Sequence, residues 1–553
     1  MKTTALSGAS AIALLIGMSV TPTAFAQQTV QAAPQAEERE QPDSRRDVVV
    51  VTAQKREETV QDIAIAVTAV NSEMRQEIGL NTLQDFTNFS PGLTFSVAND
   101  RIGMRGINRN TNNFGIRSGV SNYVDGVYYP SSIIATASRR AIMVDRTEVV
   151  RGPQGTLYGR DSIGGALNLI SKRPTDEFSG ELYLGIGTFD TRTVDLSVSG
   201  PITDWLRYRV VGSRDYQGEG FLNNAAGGET EGLRTNGYNY EVQFEGDIGD
   251  SLSWFARWGH IQWVKNGAPG ARTAAGDQQP YDTRLFNVGG SSLSPGAGYG
   301  YNAPSYTQIG SFIGNPAIDD PFTFNADFTS FAKLEGANDA ALEVIWEGPG
   351  VDVKYVGGYG YYNYLLSTDT DNTPVNSFQA RVYPFTPAGT LTTIRPGRHS
   401  DYTEQRAWFS NEINVLSTYD GPFQFIAGLY QYQENFGQPV YVLYDNPQPG
   451  ASVTRVNVNP ATGAVTGISA GQPVPTYQGL TIGSLTDNNG IANSYGVFTQ
   501  VDYTFNDQWK WTGGLRYSAD YSYITERGRV TCYYTNTCQS AGATVANPGV
   551  DAT

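Results

Sequence analysis

The stretch EVVRGPQGTLYGRDSIGGALNLISKRP, residues 148–174, places a cluster of glycines between two apolar runs. A phosphate-binding loop needs a lysine directly after its second glycine, and the lysine of this stretch, Lys172, lies beyond the glycines. The stretch therefore does not match a nucleotide site. Repeated glycine next to strands indicates backbone that turns in a confined space, where side chains would collide with a neighbouring wall. The motif positions are Gly152, Pro153, Gly155, Gly159, Gly164 and Gly165.

The beginning of the sequence predicts export. One basic residue, Lys2, precedes an apolar run over residues 11–20, and Ala24-Phe25-Ala26 then offers a cleavage site before Gln27. This pattern is typical of a secretory signal, which we assign to residues 1–26. Residues 27–46 are polar and rich in Gln, Glu and Pro, so they are predicted to form a disordered lead outside the cytoplasm.

Composition narrows the class of protein. The 553 residues include 54 acidic and 38 basic side chains, which argues against a nucleic-acid partner. No stretch after the signal approaches the roughly 20 apolar residues of a membrane-spanning helix. The 62 Gly, 33 Tyr and 24 Phe beside only 2 Cys and 2 His instead suit a transmembrane β-barrel.

Strict alternation from residue 178 onward predicts the strands of that barrel. In Thr193–Ser199, for example, apolar and polar side chains point to opposite faces. The links between strands alternate between tight turns and long loops, except that GTFDT after the first strand is short where a long loop is expected. Outer-membrane barrels have this asymmetry, and soluble sandwiches do not need it. We predict eleven strands, near residues 178–188, 191–200, 204–216, 236–248, 251–265, 338–348, 351–367, 403–418, 422–436, 491–506 and 508–524.

Two segments precede the barrel pattern. Residues 47–53 form a β-branched run with no partner hairpin beside it, so it is predicted to add to the sheet edge of another protein; an ordinary first strand is the alternative. Residues 54–175 mix short helical stretches with strand-like pieces, which indicates a small α/β domain. A small domain that precedes a barrel fits inside it as a plug.

Here the sequence resembles a known family. The run at 47–53, QKREETVQDIAIAVTAV after it, GMRGI, YVDGVYY and the glycine stretch together resemble the plug region of TonB-dependent outer-membrane receptors, and residues 178–525 resemble their barrel by pattern. The resemblance implies energised import of an extracellular ligand, usually a ferric siderophore and in some members haem, cobalamin or an oligosaccharide. It also implies that TonB captures a box near the N-terminus. The matching box residues are Asp47, Val48, Val49, Val50, Val51, Thr52 and Ala53.

The resemblance also implies contacts between plug and barrel. Arg105 and Arg151 match positions where the family pairs plug arginines with wall glutamates, and Glu412 on the eighth strand is a possible partner. A solvated surface charge is the alternative for each arginine. The sequence departs from the family pattern at Asp161, where Asn is frequent, and at Ala64, where Pro is frequent; neither departure changes the family assignment.

Other chemistry has little support in the sequence. His260 and His399 are the only histidines, and neither joins a cluster with zinc spacing. Cys532 and Cys538 fall in a predicted outward loop of an exported chain, so we expect a local disulfide rather than a metal pair. We therefore predict no enzyme activity, no metal and no cofactor. The expected partners are TonB, an extracellular ligand and outer-membrane lipid.

The barrel of the resembled family has twenty-two strands. The eleven strands predicted here therefore indicate an N-terminal fragment that holds the first half of the barrel in residues 176–553. An eleven-stranded protomer that pairs with itself is the alternative. Two function classes follow: a ligand-gated importer, and a passive porin or adhesin-like barrel that would need neither box nor plug. Family frequency favours a ferric siderophore as ligand, with an oligosaccharide as runner-up.

Overall fold

The computed structural model describes a large part of the chain. The described residues are 50–52, 55–56, 58–59, 63, 65–80, 83–96, 101–109, 117–131, 139–224, 230–232, 234–267, 306–307, 322–324, 328–369, 378–382, 390–394, 398–444, 452–458, 465–473, 476–506, 508–533 and 549–552. The predicted signal and lead, the box residues 47–49 and 53, and Cys538 lie outside them.

The first part of the chain folds into a small domain of short strands and helices, as predicted. Its main sheet has the order β3-β8-β9-β6-β7, in which only β6 and β9 run parallel. Two further pairs, β1 with β2 and β4 with β5, lie beside this sheet. The elements are β1 (Val50–Val51), β2 (Glu58–Thr59), β3 (Ala66–Asn71), α1 (Ser72–Glu77), α2 (Leu83–Phe86), β4 (Leu93–Ser96), β5 (Arg101–Met104), β6 (Val120–Val124), β7 (Val127–Tyr129), a 3₁₀ helix (Ala141–Met143), β8 (Val144–Arg151) and β9 (Gly165–Ser171).

A two-residue hairpin projects from this domain. Val124 pairs with Val127, so Asp125 and Gly126 alone form the turn between β6 and β7. Both have positive φ, 51° and 78°, the backbone that an Asp-Gly pair adopts readily in a tight hairpin. The sequence thus places a carboxylate at the hairpin tip.

The second part of the chain is an antiparallel sheet in which all eleven predicted strands are present. Each pairs with its neighbours along the chain. These strands are β10 (Ser179–Gly187), β11 (Thr191–Thr203), β12 (Leu206–Gln217), β14 (Arg234–Ile248), β15 (Leu252–Asn266), β18 (Phe331–Gly348), β19 (Val351–Asp369), β22 (Arg398–Ser417), β23 (Phe423–Tyr444), β27 (Leu480–Asn506) and β28 (Trp509–Tyr533). Several extend beyond the predicted bounds on the side of the long loops.

Shorter strands come from the long loops. β29, β24 and β25 continue the large sheet beyond β28, and β26 pairs with β27. β13 pairs with β17, and β16, β20 and β21 form a separate sheet. Their bounds are β13 (Asn223–Asn224), β16 (Tyr306–Thr307), β17 (Thr323–Phe324), β20 (Phe378–Val382), β21 (Thr390–Ile394), β24 (Ser452–Val458), β25 (Val465–Pro473), β26 (Thr476–Tyr477) and β29 (Gly549–Ala552). Among the described strands the sheet does not close on itself, so it is a partial barrel.

The sheet has its polar face inside and its apolar face outside. On β11, Thr193 and Asp195 are 8% and 5% exposed, whereas Val194 and Leu196 are 44% and 48% exposed. On β14, Glu241 is buried while Tyr240 and Phe244 are exposed. A sheet in water shows the opposite arrangement, so this polarity fits strands whose outer face meets lipid. None of the helices that the structure describes is long and apolar enough to cross a membrane.

Two apolar cores hold the molecule together. One lies within the small domain and includes Leu80, Ile102, Met104 and Leu167. The other is shared, because residues of the small domain such as Val127 pack into the same cluster as Trp408 of the large sheet. The small domain therefore docks on the polar face of the sheet, as a plug.

The glycine motif has two distinct packing reasons. At Gly159 a side chain would meet the guanidinium of Arg516 on β28, which agrees with the predicted collision with the wall. At Gly164 and Gly165 a side chain would instead meet the plug itself, at Met104 and, for Gly165, also at the carbonyl of Val150. Gly165 also has a φ of 153°, which side chains rarely permit. The wall explanation therefore applies to only part of the motif.

Replacing Gly165 with Ala should destabilise the plug by about 1–3 kcal/mol, because the new Cβ is strained and overpacked. Gly155→Ala is the matched control, since nothing lies within 4 Å of a Cβ at that position. Protease resistance of the plug in rising urea, on purified protein in detergent, measures the difference. Equal resistance of the two variants would contradict this packing.

Candidate functional site: the interface between plug and wall

The hairpin tip of the plug ends in a buried ion pair with the wall. Arg257 of β15 donates from Nε to Oδ2 of Asp125 at 2.8 Å. The backbone N–H and the hydroxyl of Ser171 donate to the same carboxylate at 2.9 and 2.8 Å. Burial alone would raise the pKa of Asp125, but Arg257, Arg173 and the Ser171 hydrogen bonds outweigh burial and lower it. Asp125 therefore stays ionised in the interface.

A second plug residue completes the charge cluster. Arg139 donates to Glu241 at 2.8 Å and to Asp339 at 2.7 Å, and Arg257 donates to Asp339 at 2.6 Å. None of the five charged side chains is more than 2% exposed. The phenol of Tyr129 donates to Asp339 at 2.6 Å. We call Asp125, Arg139, Glu241, Arg257 and Asp339 the anchor cluster.

The anchor cluster contains three carboxylates and two guanidinium groups, so it carries one excess negative charge. Gln243 donates to Oε1 of Glu241 at 2.6 Å, and with Tyr129 it supplies neutral donors to the cluster. Such a cluster contributes less net stability than its number of contacts suggests, because every ion loses its hydration. Removing one member is costly, however, since loss of a guanidinium leaves carboxylates buried without compensation, and loss of a carboxylate leaves buried N–H donors without an acceptor.

Ion pairs also join the plug to the wall beyond this cluster. Arg140 lies 3.1 Å from Asp195 of β11, and Arg173 lies 3.0 Å from Glu343 of β18. On the wall, Arg209 of β12 donates to the carbonyl of Ile142 at 3.0 Å. Sequence reasoning did not identify these residues or the anchor cluster. The available signals were the Asp-Gly turn before VYY and the placement of Arg257 on the polar face of a predicted strand.

Aromatic residues form the neighbouring part of the interface. The indole of Trp408 on β22 donates to the carbonyl of Tyr128 at 3.1 Å, and its ring lies 5.4 Å from that of Tyr129 in an edge-on arrangement. The ring of Tyr128 meets that of Tyr432 edge-on at 5.1 Å, and Arg160 lies 4.4 Å from the Tyr432 ring centroid. These contacts are aromatic ring pairs, a neutral hydrogen bond and a cation–π contact, in contrast to the carboxylate–guanidinium pairs of the anchor cluster.

The box segment is already paired within the chain. Val50 and Val51 pair with Thr59 and Glu58, so the expectation of a run without a hairpin partner is wrong. Val51 is fully buried in the shared core. The N–H of Thr52 donates to Oε1 of Glu148 at 2.8 Å. The described box residues, 50–52, are therefore held against the plug by the pairing with β2 and by the Glu148 carboxylate.

Glu412 contacts the plug, but through a residue that the sequence did not suggest. Lys55, two residues after the box, forms the ion pair with Glu412. Burial lowers the pKa of Lys55, and the nearby Glu412 carboxylate opposes that shift. Arg56 donates to the hydroxyl of Ser417 at 3.2 Å and to the carbonyl of Phe425. These contacts tie residues 55–56 to the wall.

The two arginines predicted to meet wall glutamates do not do so. Arg105 is exposed, has a φ of 52° and donates its backbone N–H to Gly92 at 2.8 Å. Arg151 lies on β8, where its Nε is buried without a hydrogen-bond partner. No ion pair of either residue with a wall carboxylate occurs within the described ranges. The predicted pairing with Glu412 is thus replaced by the pair with Lys55.

A polar and aromatic cluster lies near the long-loop ends of the wall strands. Arg406 of β22 pairs with Glu404 at 2.6 Å and with Glu434 of β23. The phenols of Tyr362 and Tyr402 both donate to Glu404. We call this set the upper cluster. No motif marks its members, which come from three strands: Tyr362 of β19, Tyr402, Glu404 and Arg406 of β22, and Glu434 of β23.

The remaining predicted residues are placed as follows. His260 donates a hydrogen bond from Nδ1 to Oδ1 of Asn338 at 3.0 Å, and His399 stacks on Phe328. No group of three or more His, Cys, Asp or Glu residues in the described ranges is arranged to hold a metal. Cys532 lies in β28, and the predicted bond to Cys538 falls outside the described residues.

Comparison with known proteins now identifies the domain. Residues 59–166 match the model of the TonB-dependent receptor plug domain. This part of the chain is similar to the plug domain of TonB-dependent receptors. The ferripyoverdine receptor of Pseudomonas aeruginosa is 35% identical over 156 residues, which are 28% of this chain and 19% of that protein. The pesticin receptor of Yersinia pestis is 28% identical over 207 residues, or 36% of this chain and 30% of that protein.

Solved structures support the same fold. The crystal structure of the ferric yersiniabactin uptake receptor of Yersinia pestis aligns with a TM-score of 0.53 at 15% identity, over 85% of this chain and 62% of that chain. The ferripyoverdine receptor of Pseudomonas aeruginosa bound to ferripyoverdine also aligns with a TM-score of 0.53, over 88% of this receptor-like chain and 57% of that chain. The receptor-like chain spans less than a third of the matched curated relatives and less than two thirds of these structures.

The anchor cluster yields a direct test. Asp339→Ala removes the acceptor of three buried hydrogen bonds, from Arg139, Arg257 and Tyr129, so the variant should lose about 3–5 kcal/mol of unfolding free energy. Glu335→Ala on the same strand removes a half-exposed partner of Lys333 and should cost less than about 1 kcal/mol. Urea unfolding of both variants in detergent compares them. A loss at Glu335 as large as that at Asp339 would refute the role given to the cluster.

Proposed function

We propose that this chain is part of an outer-membrane receptor that imports a scarce nutrient, and that TonB drives the import by displacing the plug. The observation that carries the proposal is the plug itself, docked by buried ion pairs on the polar face of a sheet whose other face is apolar. A passive porin has no use for a domain that fills its polar face. The plug-domain match supports the same class.

A ferric siderophore is the proposed substrate. The matched relatives include proteins named for ferripyoverdine, ferric enterobactin and iron regulation, which supports this class. The upper cluster offers a guanidinium, phenols and carboxylates near the long-loop ends, where an extracellular ligand would arrive. An oligosaccharide, haem or cobalamin is the alternative. Uptake of radioactive iron is measured with each of a panel of siderophores as its carrier and is compared with growth on glycans. The comparison distinguishes these substrate classes.

TonB would act on the box segment. In the resting structure Val50 and Val51 already have a main-chain partner in β2, so capture by TonB requires exchange of that partner. The contacts of Thr52, Lys55 and Arg56 with Glu148, Glu412 and Ser417 oppose this exchange. Ligand binding would have to weaken them, or TonB would have to compete with them.

Val50→Pro should abolish energised uptake in the receptor while ligand binding persists, because proline removes a main-chain donor from the strand that TonB would capture. Val50→Ile keeps that donor and the β-branched shape, so it serves as the control. Iron uptake and ligand binding to whole cells are measured side by side. Normal uptake by the proline variant would place the box elsewhere in the chain.

Lys55→Met should make the box easier to capture. The Lys55–Glu412 pair is partly buried, and its loss should remove about 1 kcal/mol of restraint on the box. This corresponds to about a five-fold gain in the affinity of the ligand-free receptor for the purified periplasmic domain of TonB. Lys354→Met is the control, since Lys354 pairs with Glu343 on the wall and does not touch the segment. Surface plasmon resonance gives both affinities. Equal affinities would mean that Lys55 does not restrain the box.

A further inference from the structure

A cavity of about 430 Å³ lies between the box segment, the plug sheet and the wall. Its lining includes Lys55 and Arg56, which follow the box, and Lys354 of β19 and Asn414 of β22 on the wall. Lys354 follows the tight turn between β18 and β19, and Asn414 precedes the turn between β22 and β23. The cavity therefore lies at the short-turn end of the sheet, with residues 55–56 as part of its cover.

Many polar side chains line this cavity, and some of their atoms are unpaired. The hydroxyl of Tyr158, Oδ1 of Asn168 and Oδ1 of Asn414 are buried, and in the described parts of the chain they have no hydrogen-bond partner. Buried polar atoms that face a space of this size are normally hydrated, because an unpaired polar group in a dry interior is costly. The cavity is thus suited to water and to polar solutes.

Above the cavity, the inner face of β19 forms no ion pair with the plug among the residues that the structure describes. We call Lys354, Val356, Gly358, Gly360 and Tyr362 the β19 strip. Side chains at Gly358 and Gly360 would collide with Val127 of the plug and with the ring of Trp408, so glycine leaves a smooth surface there. For the described residues, the polar contact between the strip and the plug is that of Tyr362 with Ser131.

The rest of the interface is more strongly held. The anchor cluster binds the plug to β14, β15 and β18 through buried ion pairs. The β19 strip continues at its long-loop end into the upper cluster through Tyr362, and at its short-turn end into the cavity through Lys354. The interface thus has an ionic side and an adjacent apolar seam that joins a polar cluster to a polar cavity.

We propose that the imported solute passes along the β19 strip, between the plug and the wall, and leaves through the cavity when the box segment is pulled away. This inference rests on the proposed import function and names its route. Separation of Lys55 from Glu412 uncovers the cavity, and Val127 moves off Gly358 as the hairpin pivots about Asp125 and Tyr129, which the anchor cluster keeps on the neighbouring strands. The plug need not leave the barrel as a whole.

Two disulfide tethers test the route. A Cβ built on Gly358 lies 3.0 Å from the Cβ of Val127, so Val127→Cys with Gly358→Cys closes the seam after a small adjustment. A Cβ built on Gly514 lies 2.7 Å from Cγ2 of Thr156, so Thr156→Cys with Gly514→Cys ties the plug to β28 instead. Both variants also carry Cys532→Ser and Cys538→Ser, and the receptor with these two serines is the reference.

Uptake of radioactive iron is measured with oxidised and reduced cells, and mass spectrometry verifies each tether. The oxidised seam tether should lower uptake at least about ten-fold and recover on reduction, because the route cannot open. The oxidised Thr156–Gly514 tether should retain most uptake. The route is overturned if both tethers block uptake, if neither does, or if only the second does. Absence of TonB-dependent uptake in the reference receptor would instead refute the proposed function.

Discussion

Arg257 is a buried guanidinium in the middle of a strand, and its pairing governs how the two parts of the molecule fit together. It contacts Asp125 from the plug and Asp339 and Glu241 from the wall, so it joins the two parts directly through one guanidinium. Without the plug, this charge and the carboxylates around it would need water in their place. The polar face of the sheet and the plug are therefore matched parts of one structure.

The same constraint explains why the sheet can present an apolar face outward. Charges gathered on one face need partners there, and the plug supplies Asp125, Arg139, Arg140 and Arg173 for that purpose. The outward face is then free to be uniformly apolar, with residues such as Leu196 and Phe244 exposed. In lipid that arrangement is favourable, because the strands satisfy their backbone groups among themselves.

The interface is uneven, and this unevenness bears on how the molecule could move. Ion pairs concentrate on β14, β15 and β18, whereas β19 meets the plug through glycine and valine. Breaking a buried ion pair leaves an uncompensated charge, while separating apolar surfaces that then become wet costs only their hydrophobic contact. Displacement of the plug should therefore begin where the apolar seam and the cavity lie. The box segment covers that region.

The sequence by itself determined the architecture. Alternation located all eleven strands, the rhythm of short and long links gave their direction, and YVDGVYY specified the hairpin with a carboxylate at its tip. These features are local, because strand period and turn chemistry depend on neighbouring residues.

The partners in the interface were decided only by the tertiary structure. Arg139 meets Asp339 across 200 positions, and Glu412 pairs with Lys55 across 357, instead of with the expected Arg105 or Arg151. Val50–Val51 likewise has a partner in β2 that its composition did not indicate. Such pairs depend on strand register and on how the plug is rotated against the wall. No local pattern encodes either, since a single step in register moves every side chain to the other face.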